Sequence, residues 1–166
     1  MAENTKETKN TGKIEFGYDY LVIMRNLINR GIKSPEDKYN WYSDAIARFF
    51  LLQWAFNVDE IDQSNQLYME RLEKKQLPDN LRPTFNRVVE FVKGETGGIG
   101  KFVTELAAIG WLDNKITDDE REYVRQFSDL FDLKPSEFND LTNRGLDWSI
   151  ALNFVCEKYV EQTKKK

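Results

Sequence analysis

The segment with the most capacity for chemistry is Leu112-Asp113-Asn114-Lys115-Ile116-Thr117-Asp118-Asp119-Glu120. An acid, a residue tolerant of positive φ, an isoleucine and an acid four positions later also describe the distal half of an EF-hand loop. The ligand places do not fit. With Ile116 eighth in such a loop, the first and third places fall on Ile109 and Trp111, which offer no side-chain oxygen. Asp113 and Glu120 remain as donors, and a second acidic turn supplies Asp59, Glu60 and Asp62. A divalent cation bridging the two turns is one expectation, and hard oxygen donors make that ion calcium or magnesium. Zinc is disfavoured, because the chain has no histidine and one cysteine. The competing expectation is structural. Asp113 would then bond turn amides, Asn114 would take the left-handed conformation, and Glu120 would close a capping box with Thr117.

Catalysis is not expected. Without histidine, no Ser-His, Cys-His or metal-histidine arrangement exists, and the commonest general base near neutral pH is missing. The 28 acids are scattered and mostly interleaved with basic residues, as on solvated helix faces. Gly94-Glu95-Thr96-Gly97-Gly98 lacks the lysine and hydroxyl of a phosphate-binding loop and reads as a connection.

The elements that must position these turns read as helices. Leu21, Met24, Leu27 and Ile28 recur at helical spacing over Tyr18 to Arg30, and Gly31 stands at the C-cap. Ser34-Pro35-Glu36-Asp37 starts a second helix, with a break near Ser43-Asp44. Ala45 to Phe56 is apolar on nearly every face and belongs at the centre of a bundle. Further helices are expected from Gln63 to Lys75, from Pro83 to the stop at Gly94, and from Ile99 to Leu112, another central one. Thr117-Asp118-Asp119-Glu120 caps the next, with Tyr123, Val124, Phe127, Leu130 and Phe131 as its apolar stripe. Another follows from Pro135. Asp147 is expected to cap the last, where Trp148, Ala151, Leu152, Val155 and Tyr159 recur as a stripe at helical spacing. The fold class is therefore all-α, a single bundle of about seven helices.

A shift of 55 positions places Leu51 on Leu106, Phe56 on Trp111, Ile61 on Ile116 and Tyr68 on Tyr123. The bundle thus reads as two related helical-hairpin halves, with Trp54 and Trp111 both buried in the core.

From Trp41 to Tyr159 the chain resembles the tellurite-resistance TerB-like family, most closely from Phe102 through Leu141. The motif is an apolar helix, then Asp113-Asn114-Lys115-Ile116-Thr117-Asp118-Asp119-Glu120, an amphipathic helix, and Leu133-Lys134-Pro135-Ser136-Glu137. Asn114 departs from the family's usual glycine, and Val58 and Asn65 replace the acids of the first turn. The resemblance implies an all-helical, non-enzymatic module tied to stress response, phage defence or metal sensing, which acts through a protein partner. On this reading residues 1–13 are a disordered polar tail, 14–163 the TerB-like domain and 164–166 a basic tail.

Composition bounds the rest. A chain of 166 residues with 40% hydrophobic side chains can bury a core without staples, and lone Cys156 reads as a buried structural thiol. A net charge of −4 argues against a nucleic-acid face. No apolar run reaches the ~20 residues of a membrane span and no export signal is visible, so the expected compartment is the cytoplasm. Two functional classes follow: a TerB-like interaction module that responds to a divalent metal, or a structural or adaptor subunit of a larger, even viral, assembly.

Overall fold

The computed structural model describes residues 2–31, 39–112 and 115–164. Seven helices and, among the described residues, no strand make up the bundle: α1 (Ala2–Gly31), α2 (Tyr39–Gln53), α3 (Val58–Glu73), α4 (Arg82–Lys93), α5 (Gly98–Gly110), α6 (Asp118–Leu130) and α7 (Pro135–Lys164). The expected start at Ser34-Pro35 lies outside the described residues.

Two helices form the centre, and one of them was not expected there. In α1 every residue from Phe16 to Met24 is buried, because α2, α3, α4, α5 and α6 all pack around it. Its polar members are satisfied by these neighbours. Buried Asp19 accepts two hydrogen bonds from Arg87 of α4, at 2.9 and 3.0 Å, and the pair holds the guanidinium above its ordinary pKa despite partial desolvation. Gly17 lets α3 approach, since a Cβ there would lie 2.2 Å from Ser64 Oγ. The second central helix is α5, buried from Phe102 through Gly110. Around Phe127 of α6, the rings of Phe85 and Phe102 stand 4.4 and 5.1 Å away, at packing distance for aromatic pairs.

Several boundaries differ from the sequence reading, each for a local reason. α1 begins at Ala2, so it runs through the segment expected to be a tail; glutamate and lysine there are good helix formers. No break occurs at Ser43-Asp44 in α2. α3 starts five residues before Gln63 because Asn57 caps it: its side chain accepts the Glu60 amide at 2.8 Å, and Glu60 accepts the Asn57 amide at 3.0 Å. Asp147 is no cap, for α7 continues unbroken through Gly145-Leu146-Asp147. The two capping boxes, Asn57 to Glu60 and Thr117 to Glu120, stand 60 positions apart. The two hairpins therefore share a plan, but the 55-position register does not align their caps.

The last helix buries one member of the expected stripe, Leu152, and turns three others outward. Ser149, Leu152 and Cys156 are buried, in line with Phe138, Thr142 and Gly145, while Trp148, Ala151 and Val155 face outward. Gly145 explains the choice. A Cβ on it would sit 2.4 Å from Ala107 Cβ and 2.8 Å from the Ala107 and Ala108 backbone, so α7 crosses α5 almost backbone to backbone. Trp54 is buried as expected; Trp111 is only partly so, its Nε1 donating to the Thr142 carbonyl at 3.0 Å. Burial, with Glu157 nearby, pushes the Cys156 thiol up to about 12, as befits an inert structural cysteine.

Candidate functional site

The acidic turns are built as caps. In the second, Thr117 Oγ1 accepts the Glu120 amide and buried Glu120 accepts the Thr117 amide, both at 3.1 Å. Arg30 Nη1 reaches both oxygens of Asp119, at 2.8 and 2.9 Å. In the first, Lys13 Nζ donates to Glu60 at 3.1 Å. Slight burial works against ionisation of Glu60, but the Asn57 amide and Lys13 outweigh it and hold the carboxyl below its usual range. Asp62 pairs with Arg48 at 3.0 Å, Asp59 is exposed, and Asp113 lies outside the described residues.

Among the described residues, the structure holds Glu60 of the first turn and Asp119 of the second apart. Lys13 and Arg30 sit seventeen residues apart on one continuous helix, or about 25 Å at 1.5 Å per residue. Oxygen ligands of a single calcium lie within about 5 Å of one another, so α1 acts as a spacer that keeps Glu60 and Asp119 from sharing an ion. Among the described residues no group of three or more acids or cysteines converges. Replacing Glu120 with Gln is accordingly expected to be near neutral, because the amide still completes the box, and Glu120→Ala to cost about 1 kcal/mol. Thermal melts in chelator and then in millimolar calcium or magnesium check this. A wild-type rise of several degrees that Glu120→Gln abolishes would restore the cation reading.

Sequence reasoning passed over the most perturbed carboxyl. Glu105, fully buried on α5, accepts hydrogen bonds at one oxygen from the Tyr20 hydroxyl of α1 at 3.0 Å and from Trp54 Nε1 at 2.8 Å. Its other oxygen is buried without a partner. Burial pushes the group up to about 8, against the opposing pull of Trp54, Tyr20 and Lys101. At neutral pH it is a carboxylic acid. Its two donors tie α5 to α1 and to the turn after α2, and Lys101 covers the Trp54 ring at 4.2 Å while donating to the Gln53 carbonyl. The signal was present: an acid within Phe102-Val103-Thr104-Glu105-Leu106-Ala107 has no solvated face to occupy.

Surface features complete the inventory. A cleft of about 400 Å³ between the start of α5 and α7 has Ile99, Leu133 and Leu141 as its apolar lining and Glu137, Asp140 and Arg144 as its polar lining. More extensive is the outward face of α7. Ile150 and Phe154 are 63% and 62% exposed, and Trp148, Ala151 and Val155 adjoin them at helical spacing. The face is a contiguous apolar stretch on an otherwise charged helix. No protein-family model, curated protein or solved structure matches the chain.

Proposed function

We propose that this chain is a non-enzymatic interaction module of TerB-like organisation that engages protein through the outer face of α7. The carrying observation is that face: two large side chains more than 60% exposed, with a tryptophan and a valine beside them, opposite a fully packed stripe. Support for the TerB-like part comes from the all-helical plan and from the Thr117 to Glu120 box opening an amphipathic helix after an apolar one. Stress response or phage defence is what that resemblance carries with it. The metal-responsive part has less behind it, since Glu120 and Asp62 already have intramolecular partners.

A photo-crosslinking residue at Ala151, used in cells that make the protein, tests the reading. Discrete protein adducts are expected, lost when Ile150→Glu and Phe154→Glu are added while the helical dichroism is unchanged. Absence of any adduct, or adducts indifferent to those changes, would remove α7 as the binding face.

A further inference from the structure

The outer face of α7 carries its own complement. Along it the exposed charges Arg144, Asp147, Lys158 and Glu161 frame Ile150, Ala151, Phe154 and Val155, with Asp140 beyond this stretch toward the start of α7 and Glu157 at its edge. Reflected about the midpoint between Leu152 and Asn153, these four charges pair as opposites: Arg144 with Glu161 and Asp147 with Lys158. The same reflection sets large Phe154 against small Ala151, and Ile150 against Val155. Helical spacing puts all eight positions on one side, away from buried Ser149, Leu152 and Cys156.

From this pattern we propose that the occupant of the face is a second copy of the chain, with α7 packed antiparallel on its partner's α7 about a twofold axis. The proposal rests on the preceding reading of α7 as an interaction face and names its partner. A twofold axis makes every contact occur twice, so the two pairings give four ion pairs around an apolar seam. A parallel pair would instead set Asp147 against Asp147 and Lys158 against Lys158, with like charges in register. Within one copy Lys158 only leans toward Glu161 at 3.6 Å and over the Phe154 ring at 5.7 Å, on the surface, which leaves it able to turn to a partner carboxylate. The seam from Arg144 to Glu161 is about 26 Å long. One helix pair of that length buries less than a standard interface, so a reversible dimer is expected rather than an obligate one.

Sedimentation velocity on the full chain, from roughly 1 to 500 µM, where small interfaces associate, tests the pairing. Wild type should move from the 19.6 kDa monomer toward about twice that mass. Asp147→Lys and Lys158→Asp should each stay monomeric, because every Asp147 to Lys158 contact becomes a like-charge contact. Mixed in equal amounts the two variants should form a heterodimer, since one then carries lysine and the other aspartate at both positions. A wild type that stays monomeric throughout overturns the self-pairing, and protein adducts at Ala151 would then show that the interaction reading stands with another partner. A dimer untouched by the charge changes, or a mixture that is no better than its components, overturns it too, because the association would then use another surface.

Discussion

Gly145→Leu should lower the melting temperature by at least about 6–12 °C, the equivalent of roughly 3 kcal/mol or more for a domain of this size. The first added carbon already collides, with Ala107 Cβ at 2.4 Å and with main-chain atoms of Ala107 and Ala108 at 2.8 Å. Backbone at the middle of a central helix cannot swing aside as a side chain end can, so α7 must lift from α5. That lift would loosen the contacts of Ser149, Leu152 and Cys156 with the core and the Asn153 hydrogen bond to the Leu112 carbonyl at 2.7 Å. Helix propensity opposes the effect, as removing a helical glycine gains about 1 kcal/mol. Overpacking costs about 1–3 kcal/mol even for small additions, so Gly145→Ala should still lose stability and Gly145→Leu much more. A denaturant titration that finds Gly145→Ala more stable than wild type would show that the crossing is looser than it stands here.

Stability should also fall as pH rises from about 5 to 8, and Glu105 is the cause. In the unfolded chain its carboxyl has the ordinary value of 4.5; in the folded chain burial raises it to about 8. Between these values the folded state holds a proton that the unfolded state has released, so each step up in pH favours unfolding. The contribution is whole below about 4.5, declines through the window and is gone above about 8. Its slope approaches roughly 1.4 kcal/mol per pH unit, on the order of 5 kcal/mol over the full window. Glu60, held below its ordinary value, acts in the opposite sense and at lower pH, its stabilisation being lost as pH falls. Glu105→Gln keeps a carbonyl to accept from Tyr20 and Trp54 but has no proton to lose. Urea titrations of both proteins from pH 5 to 9 should show a falling wild type and a flat variant; parallel curves would sink the assignment.

The sequence disclosed helices wherever local chemistry alone decides, and misled where packing decides. Thr117 to Glu120 was readable because a capping box is complete within four residues, and Asn57 to Glu60 follows the same rule with asparagine as the capping side chain. α7 offered two stripes at helical spacing. Helical spacing alone joins Trp148, Ala151 and Val155 to Leu152, yet the backbone approach at Gly145 turns small Ser149 and Cys156 inward with Leu152, so Trp148, Ala151 and Val155 went out. The candidate face was thus hidden by its own hydrophobicity. Gly17 and Asp19 likewise made α1 look less central than it is, because the space for α3 and the guanidinium of Arg87 both come from residues far along the chain. The separation of the two acidic turns was invisible for the same reason: nothing near either turn reveals that one helix spans the distance between them.

The central place of α1 also governs how this protein can be made. Its buried run, Phe16 to Met24, leaves the ribosome well before two of the groups that receive it: Glu105 for the Tyr20 hydroxyl and Tyr123, whose hydroxyl donates to the Ile23 carbonyl at 2.9 Å. At roughly 5–20 residues per second the gap of about 100 residues amounts to about 5–20 s, during which α1 can pack on α2, α3 and α4 while its Tyr20 hydroxyl and Ile23 carbonyl wait for α5 and α6. Folding from α1 onward therefore stays incomplete until α6 has emerged. The core closes around α1 only once α5 and α6 have been made.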